Sequence, residues 1–234
     1  MLSPGPDSSR TVVGPRLKDI ISRACETQNA PASALPTPTE VSDRFHHFNV
    51  PTLPHLLALL IHTSALFPPP NTNLIVVDSI SSLFTLAFPK TVEKLPGRGD
   101  AGKKYDAAQW AGSRRWAVMS DFISKVGKLA ATSNIAILLI SQTTTRIRVE
   151  SDTVLHPVLS GSAWDNGVNA RLVLFRDWLL KRNEGSSQGI HIPKARFAGI
   201  VKAAGVTYDG LNKVVPFIIK SVGMVWDHTT VKGF

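Results

Sequence analysis

Asp78 and Gln142 are the side chains best placed to do chemistry, because each closes an apolar run. Asp78 ends LIVVD, Leu74 to Asp78, and Gln142 follows IAILLIS, Ile135 to Ser141. A carboxylate in such a position can hold Mg²⁺ directly or through a bound water. It can also do no more than cap the helix that follows. Two polar segments bring cations. Phe88 to Tyr105 reads FPKTVEKLPGRGDAGKKY and carries Lys90, Lys94, Arg98, Lys103 and Lys104, while Arg146 and Arg148 stand just beyond Gln142. Cationic segments with Gly or Ser/Thr and no apolar anchor can track a single-stranded nucleic-acid backbone. Solvated surface loops have the same composition.

The surrounding pattern says what must position these groups. Both apolar runs are short and continuous, which suits strands covered on both faces in a parallel sheet. Thr52 can cap a helix with Pro54 in its first turn, and Leu53, Leu56, Leu57 and Leu60 give it one apolar face. PPPNTN, Pro68 to Asn73, stops that helix. A second helix is expected from near Lys104 to about Ser133, where Ala111, Val118, Phe122, Val126 and Leu129 recur at helical spacing. The order helix, strand, helix, strand implies right-handed crossovers and a parallel sheet. Ligands in such sheets bind beyond the carboxyl ends of the strands. A polar loop then leads to better-alternating β candidates at Arg171–Arg176, Phe197–Tyr208 and Val215–Trp226, expected to add antiparallel strands. Residues 1–41, rich in Pro, Ser, Thr and Ala, read as a flexible, partly disordered arm. It holds one helical candidate, Pro15–Thr27, and a linker from Ala30 to Pro38, and residues 42–234 form the core.

Composition narrows the function classes. With 43% hydrophobic and 18% charged residues the chain is globular rather than disordered. No apolar run reaches the roughly 18 residues needed to span a bilayer, and MLSPGPDSSR lacks the apolar core of a secretory signal. The lone Cys25 excludes an internal disulfide, fits a reducing compartment, and has no charged neighbourhood that would mark a nucleophile. The seven histidines lack metal-ligand spacing, and there is no GxSxG element. The net charge of +9 is uneven: residues 1–88 hold five Lys/Arg and six Asp/Glu, residues 89–234 hold 21 and 11. The excess at the back suits either a phosphate-backbone surface or a solvated basic face. All five tryptophans read as core or interface residues; Trp110 could stack a base, but it lies on a helical apolar face.

Three motifs in order carry a family resemblance. LIVVDSISSLF, Leu74 to Phe84, resembles the Walker B segment of RecA-type recombinases, in which Asp-Ser precedes a short helix. ILLISQTTTRI, Ile137 to Ile147, resembles that family's next core strand, whose terminal Gln or Asn-Gln senses the γ-phosphate and opens the second DNA-binding loop. LSGSAWDNGVNARLVLFRD, Leu159 to Asp177, looks like the segment after that loop, with a Gly-containing turn and a helix carrying Trp164. The resemblance runs from about Asp43 to Trp226 and leans toward paralogues of the eukaryotic strand-exchange recombinase that act as recombination mediators.

It implies a RecA-like α/β core of P-loop NTPase type, with a mostly parallel central sheet and antiparallel carboxy-terminal strands. It also implies DNA repair by homologous recombination in the nucleus. ATP and Mg²⁺ are the implied cofactors, and single-stranded DNA and recombinase-like protomers the implied partners, with no membrane. Asp78 would then hold Mg²⁺ with Ser79 supporting it, and Gln142 would couple nucleotide state to DNA. Phe88–Tyr105 and Thr143–Pro157 would be the two DNA loops. Because ATP sits between protomers in this family, Val206–Phe217 would face a neighbour's nucleotide.

One required element does not occur. GxxxxGK[ST], whose backbone N–H groups cradle phosphate, has no match before Asp78. GRGDAGKK, Gly97 to Lys104, comes near it, but Lys104 stands where Ser or Thr must ligate Mg²⁺, and the segment follows the Asp78 strand instead of leading to it. The expectation is therefore an incomplete core, with the amino-terminal strand and phosphate loop missing and negligible hydrolysis by the isolated chain. Two alternatives stand beside it: a purely structural interaction subunit, or a DNA-dependent ATPase whose phosphate loop lies in coding sequence upstream of Met1. The family's catalytic glutamate belongs to the missing strand, and Glu40, in a linker-like stretch, is given no such role.

Overall fold

The computed structural model describes residues 10–27, 37–61, 67–88, 101–147, 153–178, 194–208, 214–220 and 223–226. The elements are α1 (Arg10–Thr27), α2 (Pro38–Asp43), α3 (Leu53–Ile61), β1 (Leu74–Asp78), α4 (Ile80–Ala87), α5 (Ala101–Ser133), β2 (Ala136–Ile140), β3 (Thr143–Ile147) and β4 (Thr153–Pro157). There follow α6 (Ser162–Gly167), β5 (Arg171–Trp178), β6 (Lys194–Ala203), β7 (Val206–Thr207), β8 (Val214–Lys220) and β9 (Gly223–Trp226). The chain is mixed α/β and divides into two units, Val50–Asn169 and Met1–Asn49 with Ala170–Phe234. No helix among the described residues is long and apolar enough to cross a membrane.

In Val50–Asn169, α3 starts where the sequence marks it. Thr52 Oγ1 accepts the His55 N–H at 3.5 Å, and Leu53, Leu56 and Leu60 are buried. β1 and β2 pair in parallel, from Leu74 opposite Ala136 to Asp78 opposite Ile140. The crossover between them holds α4 and α5. Along α5, Phe122 and Val126 are buried as the periodicity requires, together with Met119 and Ile123. Phe84 and Phe122 meet edge-on at 5.9 Å between ring centroids, and Phe122 stacks on Trp164 of α6 at 6.3 Å. This aromatic cluster joins α4, α5 and α6 into one core.

Two expectations fail here. Among the described residues of this unit the parallel strands are covered on one face only. Ile75, Val77, Ile137 and Leu139 pack with the α3, α4 and α5 residues of the core, while Leu74, Val76, Leu138 and Ile140 are exposed. Successive side chains of a strand point to opposite faces, and these helices gather on one of them. The second correction concerns Thr143–Pro157, expected as a loop. Its two ends form an antiparallel hairpin, from Thr143 opposite Pro157 to Ile147 opposite Thr153. Three consecutive threonines and an isoleucine favour extended backbone; residues 148–152 lie outside the described residues.

The parallel part is also smaller than the mostly parallel sheet expected. Each added parallel strand needs its own helical crossover, and the described residues contain one, between β1 and β2. The larger sheet is antiparallel, in the order β5-β6-β8-β9 with β7 paired to β6, and belongs to the other unit. Its strands cover the three predicted stretches to within a few residues, but two of the stretches are divided: Val215–Trp226 into the antiparallel pair β8 and β9, and Phe197–Tyr208 by a turn. Ala204 (φ 49°) and Gly205 (φ 80°) fold β6 back on β7, the positive-φ pair that a two-residue hairpin requires. Phe175 and Phe197 stack across β5 and β6 at 5.5 Å.

In the same unit α1 begins at Arg10, five residues before the expected start, and takes Pro15 into its interior. The ring removes one backbone donor there without ending the helix. α2 is set by a capping box: Glu40 N–H donates to Thr37 Oγ1 at 3.3 Å, and Thr37 N–H donates to the Glu40 carboxylate at 2.8 Å. Glu40 is thus a structural residue.

Candidate functional site

Asp78 and Ile140 are register partners at the last position of the parallel pair. Neighbouring strands lie about 4.8 Å apart, so Asp78 and, two residues past Ile140, Gln142 leave the sheet at the same carboxyl rim. Asp78 is exposed. It does not cap α4, because the N-cap is Ser79, with extended backbone at φ −112° and ψ 121°. Among the described residues no hydrogen bond or ion pair engages the Asp78 carboxylate. The fold therefore presents this carboxylate at the rim without using it for local structure.

Behind it runs a chain of hydrogen bonds that joins four elements. Ser79 Oγ lies 2.9 Å from Ser81 Oγ, and Ser82 Oγ donates to Ser79 Oγ at 3.4 Å. Ser81, in the first turn of α4, is fully buried, and its hydroxyl accepts the Gln142 N–H at 2.9 Å. The Gln142 carbonyl in turn accepts the Val158 N–H at 3.1 Å, and the Val158 carbonyl accepts from the Arg115 guanidinium at 3.2 Å. Both backbone groups of Gln142 are thus fixed, one to α4 and one to the segment leaving the β3–β4 hairpin. Its side-chain amide, exposed at the rim, has no partner among the described residues. Ser81 and Arg115 were not singled out in the sequence. The hydroxyl run Ser79-Ile80-Ser81-Ser82 directly after Asp78 was the available sign.

The donor set limits what could bind. The described residues contain no cluster of three His, Cys, Asp or Glu side chains, so among them Asp78 has no partners for an all-protein metal cage. A lone carboxylate fits Mg²⁺ only where phosphates and waters complete the shell, and the Ser79 hydroxyl beside it already pairs with Ser81 and Ser82.

The predicted cations distribute unevenly. Lys90, Lys94, Arg98 and Arg148 lie outside the described residues. Lys103 and Lys104 fall in the first turn of α5, which begins at Ala101, so the end of the Phe88–Tyr105 segment is helix and not loop. Arg146 sits in β3 opposite Val154. Of Val206–Phe217, Val206–Thr207 is β7 and Val214–Phe217 opens β8.

The tryptophans need correction. Trp164 is core, at 4% exposure, but Trp110 is 64% and Trp116 48% exposed. Trp110 sits on the face of α5 turned away from Met119 and Val126, because nine residues separate it from Met119 and the helix turns about 100° per residue. Arg114 lies over its ring at 5.2 Å. Trp116 instead covers Gly161, the N-cap of α6, whose backbone at φ 139° is closed to other residues. No protein-family model matches the chain, and no curated protein matches it.

Proposed function

We propose that this chain is a recombinase-paralogue subunit with an incomplete RecA-like core, acting in DNA repair by homologous recombination in the nucleus. It binds single-stranded DNA and supports an ATP site completed by recombinase-like partner protomers. The observation that carries this reading is the shared rim: a carboxylate and an amide that no described residue engages leave adjacent parallel strands side by side. The hydrogen-bonded Ser81–Gln142–Val158 path then ties that rim to the base of a hairpin bearing Arg146. In this reading Asp78 contributes one ligand, or a water contact, to Mg²⁺ on a nucleotide whose phosphates a partner's phosphate loop holds.

The test is the salt dependence of binding to a fluorescent single-stranded oligonucleotide. Each phosphate neutralised contributes about 0.7 to the slope of log K against log salt. Neutralising Lys103, Lys104, Arg146 and Arg148 together should flatten that slope by roughly two to three. No binding at low salt would remove the DNA-binding reading.

A second reading, a structural interaction subunit that binds neither DNA nor nucleotide, draws on the exposed apolar face of β1 and β2. Leu74 is 56% exposed there, beside Val76, Leu138 and Ile140, and an apolar patch of this kind is more often met at protein contacts than on isolated chains. Absence of DNA binding together with stable co-purification with a recombinase protomer would favour it.

A further inference from the structure

We infer that Trp110, with Arg114, is a stacking platform for one base of a single-stranded nucleic acid, on the outer face of α5 and outside the two loops considered above. The inference rests on the DNA-binding reading and adds to it a site, a residue and a mode of contact. Trp110 is among the most exposed large side chains of the described residues and sits on the helix face turned away from the core. An exposed indole offers a large flat apolar surface on which another ring can stack.

The surroundings say which. On the same face, three and four residues along, stand Ser113 and Arg114, both exposed, followed by the exposed Ala117 and Asp121. This is one aromatic ring beside a serine and an arginine, with an alanine and an aspartate further along, and a protein contact would normally set such a ring in a wider apolar patch. Arg114 lies over the indole at 5.2 Å, which keeps the ring oriented while its guanidinium remains able to meet a phosphate. A flat ring beside a cation, without a hydrogen-bonding base reader, is the composition of sequence-tolerant single-strand binding.

The position also fits. Arg115 of α5 bonds the Val158 carbonyl, whose residue in turn bonds Gln142, and Trp110 stands five residues, about 7.5 Å, nearer the start of the same helix.

The experiment measures binding of the full chain to an oligo-dT strand by fluorescence anisotropy, for the wild type and for Trp110→Ala, Trp110→Phe and Arg114→Ala. Circular dichroism and melting confirm that each variant is folded. Trp110→Ala should weaken binding by about 5- to 150-fold, the range of one base–aromatic stack, with the salt slope unchanged because no charge is lost. Trp110→Phe should keep most of the affinity and lose much of the tryptophan quenching that DNA causes. Arg114→Ala should lower the salt slope by about 0.7, one phosphate contact. Wild-type binding with Trp110→Ala within twofold of it would overturn the platform alone, as would a Trp110→Ala defect confined to self-association in sedimentation. Failure of the wild type to bind would overturn the platform together with the reading beneath it.

Discussion

At the scale of single residues, two acidic side chains that look alike in the sequence have opposite fates. Glu40 is spent on structure. The Thr37 N–H donates to its carboxylate and, with the Thr37 hydroxyl and then Arg44, holds the pKa below the ordinary glutamate value. A lowered folded-state pKa means that the cap is fully present above the unfolded carboxylate range and is lost as the pH falls through the folded value. The Thr37 amide should therefore shift in NMR spectra on acidification while α2 frays, and Glu40→Ala should abolish that transition. An unchanged Thr37 amide across the titration would show that the capping box does not form in solution. Asp78 makes no such commitment, and its exposed carboxylate remains available to a ligand.

At the scale of elements, the contact between α5 and α6 depends on one glycine. Gly161 takes φ 139° and ψ 159°, a region open to glycine alone, and a Cβ there would enter the Trp116 ring. Gly161→Ala should therefore cost roughly 3 kcal/mol, combining backbone strain with overpacking, and lower the melting temperature accordingly. Trp116→Ala in the Gly161→Ala background should recover part of the loss, since the clash goes and the strain stays. A Gly161→Ala protein as stable as the wild type would mean that the Trp116 ring does not lie over the turn. The same turn follows the segment where Arg115 holds the Val158 carbonyl, so α5 fixes the exit of the β3–β4 hairpin twice.

At the scale of the molecule, the uneven charge and the lack of a phosphate-loop motif before Asp78 lead to different predictions. The basic excess of residues 89–234 predicts the salt-dependent nucleic-acid binding described above. The lack of GxxxxGK[ST] before Asp78 predicts that the purified chain turns over ATP no faster than buffer, because no phosphate-cradling loop positions the γ-phosphate. Steady hydrolysis by the chain alone, abolished by Asp78→Ala, would refute that expectation and identify a phosphate site elsewhere in the protein.

Local pattern was enough to read the parallel pair, the long helix α5 and the antiparallel strands, because apolar period and turn residues are properties of neighbouring positions; the short helix after Asp78 was expected only from the family resemblance. The rim shared by Asp78 and Gln142 was legible for the same reason: two apolar runs separated by helices pair in parallel and end together. Sequence could not say which face of each run would be buried, since continuous apolarity looks the same whether helices cover one side or two. It also could not give the phase of α5 near its start, where Trp110 turned out to face solvent, or the threonine-rich hairpin hidden in a polar stretch. Those features, and the Ser81–Gln142 link across 61 residues, depend on which elements meet in space, and only the tertiary structure decides that.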